Sequence, residues 1–296
     1  MTIKKVTVAG SGVLGSQIAF QSAFKGFDVT VYDINQEAVD KAEARIKGLR
    51  HAYRHDIAAT DEDFDAGISR LSFTDDLADA VKDADLVIEA IPENPDIKHD
   101  FYKKLSTLAP KEAIFTSNSS TLVPSMFAAD TGRPKQFLNM HFSNQVWLNN
   151  TAEIMGSPET DPDIYKEIVQ YARDIGMVPI QLKKEQPGYI LNSLLMPLNA
   201  AAGMLWLKGI ADPEMIDRTW MVATGAPWGP FGITDAVGIR TSYNITLEAL
   251  DVHPELKPLA DAFKKMLDEG KLGIESGEGF YKYPNPAYKD KKFTEV

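Results

Sequence analysis

The run Gly10-Ser11-Gly12-Val13-Leu14-Gly15 restricts this chain more than any other segment, because it fits G-x-G-x-x-G in a specific context. Val6-Thr7-Val8-Ala9 before it reads as a buried strand, and Val13 to Lys25 after it reads as a helix. The hexapeptide alone says little, since glycine-rich turns are common. Between a strand and a helix it is the pattern that receives a pyrophosphate. Gly10 permits the tight turn, Gly12 lets the backbone approach a phosphate, and Gly15 lets the helix pack closely on the sheet. The start of the helix supplies free N–H groups and the positive end of its dipole. Val29-Thr30-Val31-Tyr32 is the next strand, closed by Asp33, whose carboxylate suits two ribose hydroxyls and would repel a 2′-phosphate. Ile34 and Asn35 bring no arginine to that position, so NAD is expected, with Ser11, Val13 and Leu14 completing its turn. The competing reading is an ordinary tight turn followed by an aspartate that caps a helix.

Leu86-Val87-Ile88 and Ala113-Ile114-Phe115-Thr116 read as two more buried strands, each followed by loop residues. Strands separated by helical patterns imply a mainly parallel sheet covered on both faces, hence an α/β domain. Leu138 to Phe142, Thr151 to Met155 and Val178 to Leu182 suggest further strands, with a helix over Pro162 to Gly176. Between the second strand and Leu71 lies a long charged insertion from Asn35, with Ala42, Ile46 and Leu49 spaced for one buried stripe. It is expected to form a helical hairpin projecting from the domain. After Lys183-Lys184-Glu185 the character changes to helical apolar patterns over Tyr189 to Leu207, Pro213 to Thr224 and Pro258 to Leu267. The expected division is an α/β domain over 1–184 and an all-α domain over 185–296.

The net charge of −11 argues against a general nucleic-acid binder, which needs a basic face. The absence of cysteine excludes disulfides, thiolate metal sites and cysteine nucleophiles, and no metal site is expected. Met1-Thr2-Ile3-Lys4-Lys5-Val6 leads straight into the first strand without a signal peptide, so a cytoplasmic protein is expected. No charged residue occurs between Glu185 and Lys208, which is about the length of a membrane span. Pro187, Gly188, Asn192, Ser193, Pro197 and Asn199 within it favour a helix buried in a core or at a subunit contact instead.

Beyond the glycine turn, several ordered motifs carry a family likeness. They are Ile88-Glu89-Ala90-Ile91-Pro92-Glu93-Asn94 with Lys98, Ser117-Asn118-Ser119-Ser120, His141-Phe142-Ser143-Asn144 and Glu153. Gly188-Tyr189-Ile190-Leu191-Asn192, Gly229-Pro230-Phe231 and Ser276-Gly277-Glu278-Gly279-Phe280-Tyr281 follow. With them nearly the whole chain resembles the NAD-dependent 3-hydroxyacyl-CoA dehydrogenases. Within that family it looks most like the bacterial diketoreductases, which reduce 3,5-dioxo esters, through Trp147 and Asn149-Asn150-Thr151-Ala152-Glu153 after His141-Phe142. The resemblance implies a Rossmann-like N-terminal domain, a helical C-terminal domain forming a homodimer contact, an active site in the cleft between them, and a place in fatty acid metabolism. By position it implies Asp33, Glu93, Lys98 and Asn144 as cofactor contacts, and Ser120, His141, Glu153 and Asn192 as the catalytic group.

Those residue types suit the chemistry. Oxidising a secondary alcohol removes its hydroxyl proton as hydride leaves carbon, and a histidine, with an ordinary pKa of about 6.5, can take that proton near neutral pH. A carboxylate on the other ring nitrogen fixes the tautomer and stabilises the imidazolium. Glu153 can reach His141 if their segments are neighbouring strands, while Ser120 and Asn192 would position and polarise the reacting oxygen. Each residue also has a plainer reading. His141 as a core histidine, Glu153 as a surface strand residue, Asn192 lining an apolar helix, Lys98 as an exposed helix lysine beside Lys103 and Lys104, and Glu93 as a favourable charge at a helix start all remain open. His51, His55, His99 and His253 sit in charged or loop contexts and read as surface residues.

Three departures from the family pattern bear on substrate. Gln145 stands where a proline is usual, Glu275 where a lysine near the cofactor is common, and Leu49 and Asp56 where a serine and a lysine meet coenzyme A. Arg50, Arg54 and His55 nearby keep a phosphate-binding reading alive. The leading expectation is interconversion of a 3-hydroxyacyl-CoA and its 3-oxo counterpart, with a diketoreductase acting on 3-oxo or 3,5-dioxo esters as the competitor. A catalytically inactive nucleotide-binding protein, or an enzyme for a free hydroxy acid clamped by Arg240, would be different in kind.

Overall fold

Eight strands form one sheet in the order β3-β2-β1-β4-β5-β6-β7-β8 in the computed structural model, which describes residues 3–295. Met1 and Thr2, read with the lead into the first strand, lie outside the described residues. The first unit runs β1 (Lys5–Ala9), α1 (Val13–Phe24), β2 (Asp28–Tyr32), α2 (Gln36–Gly48), α3 (Arg50–Ile57), α4 (Asp61–Ile68) and β3 (Leu71–Thr74). It continues with α5 (Leu77–Val81), β4 (Leu86–Glu89), α6 (Pro95–Leu108), β5 (Ile114–Ser117), β6 (Phe137–Phe142), β7 (Thr151–Gly156), α7 (Pro162–Asp174) and β8 (Val178–Gln181). All neighbouring strands are parallel except β6 and β7, which run antiparallel. This is the mainly parallel, Rossmann-like sheet that the alternating strand and helix patterns imply.

The strand side chains alternate between two apolar clusters, as a pleated sheet requires. Val6, Val8, Leu86, Ile88, Ile114, Leu138 and Met140 join the cluster under α1, while Ala9, Val87, Phe115 and Phe137 join the one under α6. Every residue of β4, β5 and β6 is buried, which explains why these strands read as continuous apolar runs. Because β1, β4, β5 and β6 are parallel, their C-terminal ends all reach the same edge of the sheet. Polar side chains gather there.

The insertion after β2 is helical, but it consists of three helices rather than two, and it is anchored rather than simply projecting. Tyr53 on α3 and Phe64 on α4 are buried against Phe20 of α1, with ring centroids 4.8 and 4.4 Å from it. Gly67 passes so close that a Cβ there would lie 3.1 Å from the Phe20 ring. Strand β3, hidden in the sequence at the end of this segment, pairs with β2 at the sheet's margin.

A second unit begins at Leu191 and holds α8 (Leu191–Leu207), α9 (Pro213–Thr224), α10 (Pro230–Val237), α11 (Ile239–Ala249) and α12 (Lys257–Asp268). Isolated bridges at Gly273–Glu278 and Glu278–Lys282 are its strand-like pairings. Two buried carboxylates staple it. Asp217 accepts from the amides of Phe231 and Gly232 and from the Tyr281 hydroxyl; Asp235 accepts from the amides of Phe280 and Tyr281 and from the Tyr283 hydroxyl. Burial pushes both carboxyls above the usual range, against the pull of those hydrogen bonds. The motifs around Gly229 and Gly279 thus have a structural role, since a Cβ at either glycine would strike one of these carboxylates. No helix among the described residues is long and apolar enough to cross a membrane.

The aromatic seat of the insertion generates a stability prediction. Phe64→Ala should lower the unfolding free energy by about 3–5 kcal/mol, as for other buried phenylalanines, read from urea denaturation. A loss below about 1 kcal/mol would mean that the insertion does not depend on this contact.

Candidate active site

The glycine turn joins β1 to α1 as the hexapeptide predicts. Gly10 has φ +95°, and a Cβ there would lie 2.4 Å from the Ala90 carbonyl oxygen; one on Gly15 would lie 2.0 Å from the Gly10 oxygen. Gly12 differs, because a Cβ there would meet nothing within 4 Å. It faces open space at the start of α1, a helix with no side-chain cap and no acidic residue in its first turn. By contrast α2, α4 and α6 are capped by Asn35, Thr60 and Asn94. A cradle lined by uncapped N–H groups at the start of a helix whose first turn holds no acidic residue fits a pyrophosphate. Asp33 holds the other side of the turn, accepting from Ser11 through its amide at 2.8 Å and its hydroxyl at 2.6 Å. Arg45 of α2 donates to the Ser11 carbonyl oxygen at 2.6 Å, a brace that no sequence motif announces. Val13 and Leu14 open the helix beyond it.

At the end of β4, Glu89 is fully buried. One of its oxygens accepts from Lys98 Nζ at 2.6 Å and the Ile91 amide at 3.0 Å, and the other from Tyr102 at 2.9 Å and Ser117 at 2.7 Å. Lys98 is therefore no exposed helix lysine: its side chain is 1% exposed, and its second carboxylate, Glu93, lies 3.5 Å away. Glu93 Oε1 in turn accepts from the Ser119 hydroxyl, the amides of Ser120 and Thr121, and the Thr121 hydroxyl, at 2.5 to 3.1 Å. Burial pushes Glu93 up, but the hydrogen bonds from Ser119 and Thr121 and the charge of Lys98 outweigh it and hold the carboxyl below its ordinary 4.5. The grip of Glu93 on this turn is thus complete above that value and is lost only as pH falls through the lower folded one.

The turn held by Glu93 carries Ser120, whose Oγ lies 3.1 Å from His141 Nε2. His141 is on β6 and Glu153 on β7, directly opposite each other in the antiparallel register. Residues so paired present their side chains on the same face, and His141 Nδ1 lies 3.2 Å from Glu153 Oε2. The other oxygen, Oε1, accepts from the Ile190 amide at 2.9 Å. Both side chains are buried, at 8% and 6% exposure. Asn118 accepts from the Phe142 amide at 2.9 Å, tying β5's loop to β6. Asn144 is exposed in the following loop, where its carbonyl oxygen accepts from Asn149. Gln145 next to it has φ +60°, which the proline usual at this position could not adopt. Gln17 of α1 accepts from its amide at 2.7 Å.

Ser120, His141 and Glu153 thus form one string within the first unit, continuous through Glu93 and Lys98 with Glu89. Asn192, the fourth residue of the expected catalytic group, lies in the first turn of α8 and belongs to the second unit. Sequence reasoning did not single out Glu89, although a charged residue ending a fully apolar strand is itself a signal. It also passed over Tyr189, quoted within a motif and as the start of a helical pattern that in fact begins at Leu191.

The string, the glycine turn and the sheet define a nicotinamide-dependent dehydrogenase, and this chain belongs to the 3-hydroxyacyl-CoA dehydrogenase family. The family models for the 3-hydroxyacyl-CoA dehydrogenase NAD binding domain and C-terminal domain match residues 5–186 and 188–283. A probable 3-hydroxybutyryl-CoA dehydrogenase of Deinococcus radiodurans is 35% identical over 94% of this chain and 100% of its own length. The mitochondrial hydroxyacyl-coenzyme A dehydrogenase of Homo sapiens is 32% identical over 95% and 91%. A solved diketoreductase, described for substrate-directed dual catalysis of dicarbonyl compounds, is 54% identical with a TM-score of 0.91, covering 96% of this chain and all of that one. The family, the fold and NAD as cofactor, all expected from the motifs, are borne out.

Two variants probe the site's foundations. Gly12→Ala should leave unfolding stability unchanged, because its Cβ meets nothing, yet weaken NADH binding by about tenfold or more if the cofactor's phosphates fill that space; unchanged affinity by fluorescence titration would place the phosphates elsewhere. Glu89→Gln should cost about 3–5 kcal/mol of stability, because it strands the Lys98 charge in the interior. A loss under about 1 kcal/mol in urea unfolding would show that Glu93 alone neutralises Lys98.

Proposed function

We propose that this chain interconverts a 3-hydroxyacyl compound and its 3-oxoacyl counterpart, with His141 carrying the proton. One observation carries the reading: a buried histidine whose two ring nitrogens face a carboxylate and a hydroxyl, at 3.2 and 3.1 Å. NAD, when bound, accepts or supplies the hydride. Glu153 fixes the imidazole with its proton on Nδ1, so Nε2 takes the proton of the substrate hydroxyl in oxidation and returns it to the carbonyl oxygen in reduction. The charge that develops on the ring is stabilised by the same carboxylate, itself held by the Ile190 amide. Ser120 on the Nε2 side donates to the reacting oxygen, and Asn192 is proposed as a second neutral donor to it. Gly10, Ser11, Gly12, Val13, Leu14 and Gly15 seat the pyrophosphate and Asp33 the adenosine ribose, with Glu93, Lys98 and Asn144 toward the nicotinamide end. Because its charge is spent on Glu89 and Glu93, Lys98 is assigned to act through Glu93.

For the carrier of the acyl group, the family's name favours coenzyme A. A second reading, reduction of a dicarbonyl ester without coenzyme A, is favoured by the 54% identity to the diketoreductase and by Asp56. Hydrogen bonds from His55 and Trp147 hold the Asp56 carboxyl below its ordinary range, so it is a fixed anion at neutral pH where the family resemblance places a lysine. Exposure and salt temper its repulsion of a phosphate. A cytoplasmic homodimer serving fatty acid metabolism is the proposed setting. The dimer is supported by α8, which leaves Leu191, Leu194, Met196 and Leu205 between 40% and 68% exposed.

His141→Ala should lower turnover by about a hundredfold or more while leaving NADH affinity within about twofold; a variant that still turns over would remove His141 from its role. NADH oxidation with acetoacetyl-CoA beside a 3,5-dioxo ester decides the carrier. Turnover of the ester alone would end the coenzyme A reading, and turnover of the thioester alone would end the other.

A further inference from the structure

Tyr189 lies flat against the imidazole of His141, with ring centroids 4.6 Å apart and planes 16° from parallel. We propose that Tyr189 is a positioning residue for the proton transfer: its ring is the wall that fixes the plane of the His141 imidazole, so that Nδ1 stays on Glu153 and Nε2 on the reacting oxygen. The inference rests on the assignment of His141 as the acid and base, and adds a residue that this assignment does not use.

Several independent features mark Tyr189 as placed at a cost. It is fully buried, and it has φ +52°, a left-handed conformation in which a bulky side chain is rarely found. Gly188 before it also has positive φ, at +79°, so two successive left-handed residues turn the chain to deliver this one ring. The hydroxyl then locks the ring in place, donating to the Ser119 carbonyl oxygen at 2.7 Å and accepting from Asn139 Nδ2 at 2.9 Å. Ser119 precedes Ser120, and Asn139 lies two residues before His141 on the same face of β6. One side chain therefore contacts the ring that moves the proton, the strand that bears it, and the turn that bears its hydroxyl partner. The next amide, Ile190, holds Glu153 at 2.9 Å, so the same turn fixes both the face of the imidazole and the carboxylate at its edge.

The imidazole moves only by its side-chain torsions, and the single hydrogen bonds to Ser120 and Glu153, at 3.1 and 3.2 Å, tolerate a range of angles and leave the ring's faces unwalled. The parallel Tyr189 ring closes one face against a swing out of the ring plane, and its electron-rich face also suits the cation that His141 becomes when it holds the proton. The groups that bear on the imidazole from the packed elements are Glu153 from β7, Ser120 from the turn after β5 and, behind it, Glu93 from the loop after β4, and Tyr189 itself.

The test separates the ring from the hydroxyl. Tyr189→Leu removes the stacked face and should lower kcat by about tenfold or more, the scale on which misorientation slows an enzyme, with KM for NADH within about twofold. Tyr189→Phe keeps the face and strands two buried hydrogen-bond partners, so it should lower Tm yet retain kcat within about threefold. Tyr189→Leu strands the same two partners, so a purely structural role lowers kcat in both variants in step with Tm, whereas the stacking role lowers it only where the ring is lost. The proposal is overturned if Tyr189→Leu keeps kcat within twofold of the parent, or if Tyr189→Phe falls as far as Tyr189→Leu. Should the leucine variant not fold, Tyr189→Met fills the space without a ring and must show the same loss. His141→Ala assayed alongside keeps the two claims apart: if it turns over, the acid and base assignment fails, whereas an inert His141→Ala beside a fully active Tyr189→Leu sinks only the stacking role.

Discussion

The one antiparallel pairing in an otherwise parallel sheet, β6 against β7, is the constraint on which the site depends. It sets His141 opposite Glu153 in register, and the pleat then puts both side chains on the same face. A slip of one residue would turn Glu153 to the other face and leave the imidazole without its carboxylate. The register is protected by the apolar partners on either side, Met140 with Ile154 and Phe142 with Ala152, all buried. The pairing of His141 with Glu153 is thus specified by the same packing that makes the sheet.

Parallel strands supply the rest by sharing an edge. β1 ends in the glycine turn, β4 in Glu89 and the loop to Glu93, β5 in the serine turn, and β6 close to its end in His141. Such an edge is where open α/β sheets receive their ligands. The string from buried Glu89 through buried Lys98 to the more exposed Glu93 runs along this edge to Ser120, so the region assigned to the cofactor and the region assigned to proton transfer share one framework of polar contacts. The cost of burying Glu89 and Lys98 is offset because each carboxylate oxygen of Glu89 has two donors at 2.6 to 3.0 Å, Lys98 among them.

Much of this was legible in the sequence, for physical reasons. Strands buried on both faces show as apolar runs, a turn that excludes Cβ atoms shows as fixed glycines, and a carboxylate twelve positions beyond a histidine fits two short antiparallel strands. What escaped was tertiary in origin. Leu71-Ser72-Phe73-Thr74 is four residues at the sheet's edge, too short for its apolar–polar alternation to stand out. The helices over Pro230–Val237 and Ile239–Ala249 are short and separated by Gly238 alone, so their periodicity does not stand out. Lys98 beside Lys103 and Lys104 resembles a solvated face until Glu89 is seen beneath it. Nothing in one dimension tells that Tyr189 lies on His141, because the contact spans 48 positions and depends on two left-handed residues.

The proposed role of His141 requires that its imidazole, steered by Glu153, face the carbon that exchanges hydride. A crystal structure with NADH and an unreactive 3-oxo analogue shows whether it does. The analogue's oxygen should lie about 3 Å from His141 Nε2 and its carbon about 3–3.5 Å from the nicotinamide C4, with the pyrophosphate over Gly12. A nicotinamide lying away from the His141 face of β6, or a carbonyl oxygen held by other groups with His141 turned aside, would contradict it.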